Sequence, residues 1–195
     1  EIKDKSGNNH IIDNTGLVSK VNIQSDQFPH WRWNQELGYG FSFNGKTDVL
    51  YSEDLYNTDW DLGNKDFTID TWFYARSFPP EDSSGMAILD RAPEGSIGGD
   101  WTLLGSATHL SFQWKEANNT RSINLLNPGS KSGTFNTKQW YHLAISRVGN
   151  TIRGFIDGRL CSQSNIATMR SSGDVGLSIG KLQHGVSSID PGAML

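Results

Sequence analysis

Hydrophobic and polar residues alternate in short runs along most of the chain, and no run has a sustained helical period. The clearest run, residues 67–74, places Phe67, Ile69 and Phe73 on one side, with Thr, Asp, Trp and Tyr on the other. Large residues on both sides indicate a central strand. Ser, Thr, Asn, Asp and Gly recur about every eight to twelve residues between such runs, which is typical of an all-β sandwich.

Two groups of runs predict which strands pair. Residues 110–114 and 122–126 flank the polar stretch 116–120 and are predicted to form a hairpin. Three further runs are separated by Gly149-Asn150 and Asp157-Gly158, and Asp-Gly favours turns in which both central residues have positive φ. These runs predict a three-stranded meander over residues 140–146, 151–156 and 159–162.

Length and charge narrow the class of protein. The 195 residues suit one domain spanning 1–195, and 17 basic against 21 acidic residues give a net charge of −4. This balance, without blocks of like charge, argues against nucleic acid and anionic membrane as partners. No apolar run reaches the roughly 18 residues of a membrane-spanning helix. The single cysteine, Cys161, excludes a disulfide framework and is expected to be a small buried residue.

Several motifs, in a fixed order, together resemble one family. They are Asp-Lys-Ser-Gly-Asn-Asn-His at 4–10, Phe-Asn-Gly at 43–45, Val-Leu at 49–50, Leu-Gly-Asn-Lys-Asp-Phe-Thr-Ile-Asp-Thr-Trp at 62–72, Trp-Tyr-His-Leu-Ala at 140–144, Ile-Asp-Gly at 156–158 and Leu-Ser-Ile-Gly at 177–180. Over residues 4–180 the chain resembles the laminin-G/concanavalin A-like jelly-roll family, in its microbial and phage-associated branch. The resemblance implies two antiparallel sheets, one of them concave, and a function in binding more often than in catalysis.

The two ends of the sequence depart from this family pattern. Relatives begin with an apolar strand before the Asp-Ser-Gly-Asn segment and end with a strand containing Gly-x-Ile-Asp-x-x-Arg-Ile, and neither stands in this sequence. We therefore expect residues 1–195 to lack the family's first and last strands, and to be a fragment that further chain or a neighbouring chain completes.

Paired carboxylates would indicate a glycoside hydrolase, because retaining enzymes of this class place two of them about 5 Å apart. Relatives with that activity carry two Glu on one strand, and no predicted strand here does. Asp66 and Asp70 share a face but would lie about 13 Å apart. The best rival pair, Asp59 and Asp61, would lie roughly 6.5 Å apart if extended, and solvated turn carboxylates are the simpler interpretation.

Metal chemistry has little support in the sequence. Residues 57–63 partly resemble a calcium loop, but the glycine falls one position late and Thr68 stands where the twelfth-position Glu is needed. A calcium ion assembled from separate loops remains an open alternative without a defined ligand set. No two of the five histidines are spaced so that they would lie on one face of a strand, as zinc ligands could; they are His10, His30, His109, His142 and His184.

The tryptophans are the strongest candidates for ligand contacts, because an indole can stack on a sugar and donate a hydrogen bond. Trp72 and Trp140 match family framework positions and are expected in the core. The four ligand-binding candidates lie in predicted loops or strand ends: Trp31, Trp33, Trp60 and Trp101. The alternative is that these rings pack beneath long loops or fill an interface with neighbouring chains.

These observations predict an all-β jelly-roll sandwich that acts as a non-catalytic recognition module of a larger surface-exposed protein, such as a phage fibre or an adhesin. Its partner would be a glycan or a neighbouring protein chain, outside the cell or on a virion surface. One alternative is a virion structural or decoration protein with purely protein–protein contacts. The other is a glycoside hydrolase fragment. Neither nucleic acid binding nor membrane insertion is expected, and calcium is the one cofactor left open.

Overall fold

The computed structural model describes residues 12–15, 19–22, 39–44, 48–52, 60–78, 86–92, 100–173, 175–180 and 193–194. Within these residues there are fourteen strands and no helix. The strands are β1 (Ile12–Thr15), β2 (Ser19–Asn22), β3 (Tyr39–Ser42), β4 (Val49–Ser52), β5 (Phe67–Ala75), β6 (Met86–Arg91), β7 (Trp101–Gly105), β8 (Leu110–Glu116), β9 (Asn119–Leu125), β10 (Trp140–Val148), β11 (Thr151–Ile156), β12 (Arg159–Asn165), β13 (Leu177–Ile179) and β14 (Ala193–Met194).

The strands form two seven-stranded sheets. The first sheet has the order β1-β4-β13-β6-β7-β8-β9, and the second has the order β12-β11-β10-β5-β14-β3-β2. Every described pairing is antiparallel. The all-β, two-sheet antiparallel sandwich predicted from the sequence is confirmed. No helix in the described part of the chain is long and apolar enough to cross a membrane.

The predicted meander is present as β10, β11 and β12, joined by two tight turns. Asp157 and Gly158 have φ of 52° and 73°, as a turn with two left-handed central residues requires. The Asp157 carboxylate also accepts a hydrogen bond of 2.9 Å from the His142 backbone amide. The last strand extends to Asn165, beyond the predicted end at residue 162.

The hairpin of β8 and β9 is tighter than its sequence predicts. Glu116 pairs with Asn119, so the turn consists of two residues rather than the predicted polar loop 116–120. Ala117, at the turn, has φ of 50°, a left-handed conformation that Gly usually marks and Ala does not. Since β9 is the edge of the first sheet, its polar residues face solvent and carry no apolar signal.

The core lies between the two sheets. Its buried members include Phe73, Leu103, Phe112, Trp114, Ile123, Leu125, Tyr141, Leu143, Ile145, Ile152 and Ile156. Gly154 faces this interior, and a Cβ added there would lie 2.8 Å from a Leu125 side-chain carbon of the opposite sheet. Cys161 is partly buried and packs against the core. Burial raises the pKa of its thiol, which therefore stays protonated near neutral pH.

Trp140 is buried, as predicted, whereas the prediction that Trp72 is a core residue needs correction. Phe73 and Tyr141 point inward and stack on each other, so their chain neighbours Trp72 and Trp140 point away from the space between the two sheets. We call this side of the second sheet its outer face. There Trp140 is 1% exposed beside Tyr74, whereas Trp72 is only partly buried, with its ring centroid 5.1 Å from that of His142.

The last strand of the chain, β14, lies between β3 and β5, and its two residues pair with Ala75 and Tyr74. The expectation that residues 1–195 lack the family's first and last strands stays a prediction.

Candidate functional site

An open groove with a volume of about 690 Å³ lies at one end of the sandwich. The β8–β9 hairpin forms one wall, while the β10–β11 turn and the end of β12 form the other. Its lining residues are Glu116, Arg121, Asn150, Ser164, Asn165, Ile166 and Ala167. We call it the hairpin groove.

Glu116 is held in place by three donors. It follows Leu110, Phe112 and Trp114 in the inward-facing series of β8, so its side chain points between the sheets and is 20% exposed. Its Oε1 accepts hydrogen bonds from the Ala167 backbone amide at 3.0 Å and from the Trp114 indole at 3.2 Å. Its Oε2 accepts a hydrogen bond from Arg121 Nε at 3.3 Å.

These donors fix the charge of Glu116. Burial raises the pKa of its carboxyl, but the hydrogen bonds from Ala167, Trp114 and Arg121, with the Arg121 charge, outweigh burial and lower the pKa below its ordinary value. Glu116 is therefore an ionised hydrogen-bond acceptor at neutral pH. Its partner Arg121 is 59% exposed and uses only Nε in this pair, which leaves the rest of the guanidinium facing the groove.

The opposite wall presents amides. Ile166 is 2% exposed, and its backbone amide donates to the Asn150 carbonyl at 3.0 Å, which ties the end of β12 to the β10–β11 turn. Asn150 and Asn165 are both exposed, so each can offer a carbonyl oxygen and an NH₂ group to a ligand.

A buried arginine joins the segments around this end of the sandwich. Arg147 is 2% exposed, and its guanidinium donates to three backbone carbonyls: Gly149 at 2.8 Å, Gly63 at 2.8 Å and Ala167 at 2.6 Å. Because one rigid group bonds three chain segments, it fixes the position of Ala167 relative to the β10–β11 turn. Arg147 is thus a positioning residue for the hairpin groove.

A second buried charge network holds the segment that follows Ala167. Asp100 is fully buried and forms an ion pair with Arg91, which is also fully buried. The Asp100 carboxylate also accepts from Arg170 Nε at 2.9 Å, and from the Ser172 hydroxyl and backbone amide at 2.6 and 2.8 Å. These bonds anchor residues 170–172, which follow the groove residue Ala167, to the start of β7.

The groove has the chemistry of a polar recognition site. Its lining offers one carboxylate, one guanidinium, two amides and one hydroxyl, which suits a ligand rich in hydroxyl groups. Glu116 is the only carboxylate among the described lining residues. Glycoside hydrolysis by the usual mechanisms needs two carboxylates that flank the bond, and the general acid needs a raised pKa. Among the described lining residues Glu116 has no second carboxylate opposite it, and its pKa is lowered rather than raised.

The two tryptophan candidates that the structure describes, Trp60 and Trp101, do not line this groove. Trp101 is 3% exposed at the start of β7, where its ring packs on Phe112 and its indole N–H donates to the Trp60 carbonyl at 3.1 Å. The ring of Trp101 is therefore buried in this structure, and a contact between Trp101 and a ligand stays a prediction. Trp60 is partly buried and packs against the core. Trp31 and Trp33 lie outside the described residues.

Of the four carboxylates weighed as rival catalytic pairs, the structure describes three. Asp61 accepts a hydrogen bond of 2.5 Å from the Ser171 hydroxyl, and its predicted partner Asp59 lies outside the described residues. Asp66 accepts a hydrogen bond from the Gly149 amide at 2.7 Å, while Asp70 is 66% exposed on the outer face.

The described residues contain no group of three or more His, Cys, Asp or Glu that could hold a metal ion.

Sequence reasoning missed the residues of the hairpin groove. Glu116 and Arg121 fall at the edges of a segment predicted to be an ordinary polar hairpin loop, Asn150 was interpreted as a turn residue, and Asn165 lies beyond the predicted end of its strand. The one local signal for this site was Glu116 itself. In β8 every second residue from Leu110 faces inward, and at Glu116 this series places a charged residue where an apolar one is expected. An inward carboxylate at a strand end needs donors, and one of its three, the Ala167 amide, comes from a segment 51 residues away.

The fold is similar to those of solved toxin binding domains. The binding domain of Paraclostridial Mosquitocidal Protein 1 has a TM-score of 0.68 and 14% identity, over 100% of this chain and 44% of that one. The receptor binding domain of botulinum neurotoxin D has a TM-score of 0.64 and 13% identity, over 98% and 44%. A botulinum neurotoxin type C structure has a TM-score of 0.59 and 13% identity, over 98% and 42%. Cell entry of the type C toxin depends on interaction with two ganglioside molecules.

Identities this low establish the fold alone, and this chain spans less than half the length of each of these structures. No curated protein matches the sequence. The Laminin_G_3 family model, described as the concanavalin A-like lectin/glucanases superfamily, matches residues 44–190. The family resemblance is thereby confirmed, while its microbial or phage-associated branch stays a prediction. The chain belongs to the concanavalin A-like lectin/glucanases superfamily.

Proposed function

We propose that this chain is a non-catalytic recognition module that binds glycans through the hairpin groove. The observation that carries the proposal is the lining of the groove: an ionised carboxylate, a guanidinium with free donors, and two exposed amides around an open volume of about 690 Å³. Hydroxyl groups of sugars both donate and accept, and this lining offers both kinds of partner. Glu116 and its three donors hold the site preformed, which limits the entropy lost on binding.

Two observations favour binding over cleavage. The groove has one carboxylate among its described lining residues, and the lowered pKa of Glu116 opposes a role as proton donor. The structural neighbours are binding domains, which supports the same choice. We therefore expect no hydrolysis of β-glucans or similar polysaccharides, with or without calcium. Turnover that disappears in an Asp61→Asn variant would contradict this expectation.

The setting that fits the proposal is a larger protein exposed outside the cell or on a virion surface, of phage-fibre or adhesin type. Toxin binding domains of similar fold recognise receptors as parts of longer chains, which supports a role as one module among several. A module of this kind presents its groove away from the rest of the protein. The virion structural alternative predicts instead that the groove is covered by a neighbouring chain.

A glycan array tests the proposal directly. Wild-type protein, Arg121→Gln and Asn150→Ala would be compared, with and without calcium, beside the control Arg159→Gln, an exposed arginine at the far end of β12. Loss of one charge-assisted hydrogen bond is expected to weaken binding about tenfold in Arg121→Gln. The control should bind as wild type does. The proposal fails if no glycan binds, or if glycans bind and neither groove variant changes the affinity.

A further inference from the structure

The outer face of the second sheet carries a row of side chains that begins at the hairpin groove. In the register of β10, β11 and β12, Asn165 lies opposite Thr151, and Thr151 lies opposite Val148. Two residues further along each strand, Gln163, Arg153 and Ser146 form the next row. Asn165 also lines the groove, so the face and the groove share this corner of the molecule.

Arg153 is the exceptional residue of this face. Its same-face neighbours are uncharged: Ser146 and Gln163 across the strands, and Thr151 and Phe155 along its own strand. The guanidinium is partly exposed and makes no hydrogen bond or ion pair within the part of the chain that the structure describes. A guanidinium without a carboxylate beside it is suited to bind an anionic group bidentately.

Further along the same face lie aromatic rings. Phe155 pairs with Ala144 on one side and with Leu160 on the other, and Leu160 is 52% exposed. The next row holds Trp72 and His142, whose ring centroids are 5.1 Å apart.

The length of the face sets the size of a ligand that would use it. From Val148 to His142 the strand advances six residues, or roughly 20 Å at about 3.3 Å per residue. This is too long for a single sugar and suits an elongated chain. Aromatic rings at the far end and a cation near the groove provide stacking and an anchor for charge.

We infer that the groove and this outer face bind one elongated anionic oligosaccharide, whose acidic group contacts Arg153 and whose sugar rings stack toward Phe155 and Trp72. The inference rests on the proposed glycan binding and deepens it by naming the ligand class. The anionic group is a carboxylate or a sulfate, since both match the guanidinium. Asp70 is 66% exposed beside Ala144 on the same face, and its negative charge would repel a second acidic group of the ligand placed near it.

The test uses linear oligosaccharides of increasing length, each prepared in neutral, sialylated and sulfated forms. Wild-type protein, Arg153→Gln, Trp72→Ala and Arg121→Gln would be compared by calorimetry, with Arg159→Gln as the matched arginine control. Arg153→Gln should weaken binding of an anionic form about tenfold or more and leave the neutral form unchanged. Trp72→Ala should weaken the longer ligands about 2- to 10-fold and leave the shortest unchanged. A sialylated or a sulfated preference would identify the source of the charge.

The outcomes separate this inference from the proposed function. If Arg121→Gln weakens binding but Arg153→Gln leaves both anionic series unchanged, the groove binds glycans and the extended anionic site is wrong. If no oligosaccharide binds the wild-type protein, the proposed function fails, and this inference fails with it. If the melting temperature of Trp72→Ala lies far below that of the wild-type protein, Phe155→Ala takes its place in the binding experiment. It should likewise weaken binding of the longer oligosaccharides and leave the shortest unchanged.

Discussion

Replacing Arg147 by Met tests whether one buried guanidinium holds the groove end of the sandwich together. Arg147 is 2% exposed and donates to the carbonyls of Gly149, Gly63 and Ala167 at 2.6–2.8 Å. Methionine keeps much of the aliphatic packing but has no N–H group, so all three carbonyls lose their bond to Arg147, and of the three Gly63 keeps the bond from the Met169 amide at 2.9 Å. The change therefore isolates the hydrogen bonds from the packing.

The expected loss of stability follows from those three bonds. A hydrogen bond to a charged group contributes about 1.5–3 kcal/mol, so three at the lower figure amount to roughly 4.5 kcal/mol. Methionine avoids the cost of burying a charge, which offsets part of this loss. We expect a net destabilisation of about 3 kcal/mol, or a fall in Tm of about 6–12 °C for a domain of this size.

Urea denaturation followed by fluorescence would measure the effect. Arg147→Lys should lose nearly as much as Arg147→Met, because a single ammonium group cannot reach three carbonyls on separate segments. Arg153→Met is the matched control: Arg153 is partly exposed on β11 and bonds no described residue, so its change should lie within about 0.5 kcal/mol. The reasoning is refuted if Arg147→Met unfolds at the same urea concentration as the wild-type protein.

Four further predictions follow from named positions. Trp140→Ala should lower the free energy of unfolding, measured by urea denaturation, by about 3–5 kcal/mol, because the buried indole packs beside Tyr74. An unfolding midpoint equal to that of the wild-type protein would indicate that the Trp140 side chain lies on the surface. Gly158→Val should lower the Tm, since φ of 73° strongly disfavours a β-branched residue, and an unchanged Tm would contradict the turn. Ala117→Gly should raise stability by about 0.5–1 kcal/mol by relieving φ of 50°, and a lower Tm would speak against that strain. The pKa of Glu116 is lowered in the folded protein, so the ionised carboxylate stabilises the fold at pH values above its ordinary pKa of 4.5, and this stabilisation is lost as the pH falls through the lowered pKa. The difference in Tm between the wild-type protein and Glu116→Gln should therefore be smaller at acid pH than at neutral pH, and an equal difference at both would contradict the lowered pKa.

Strand identity and pairing could be predicted wherever the sequence alternates cleanly. Residues 67–74 and the meander around Asp157-Gly158 form the expected strands, because period-two alternation and the turn residues are local signals. The assignment of Trp72 to the core was wrong for a related reason. The match to a family framework position suggested burial, but the inward direction of Phe73 already required its neighbour to face outward. The alternation of side chains along the strand was the better guide than the family match.

The hairpin groove could not be predicted in the same way, because its parts meet only in the folded chain. Glu116 accepts a hydrogen bond from the amide of Ala167, 51 residues away, and Arg147 reaches the carbonyl of Gly63 across 84 residues. Each of these segments taken alone is a polar turn, the commonest surface element of a β-sandwich. What makes them a candidate site is the placement of three turns at one end of two sheets, and that placement depends on buried groups such as Arg147 that do not line the groove. A variant that leaves every lining residue in place but removes Arg147 should therefore weaken glycan binding as well as stability, whereas Arg121→Gln, which removes only an exposed ion pair with Glu116, should weaken binding with a change in stability of at most about 1 kcal/mol.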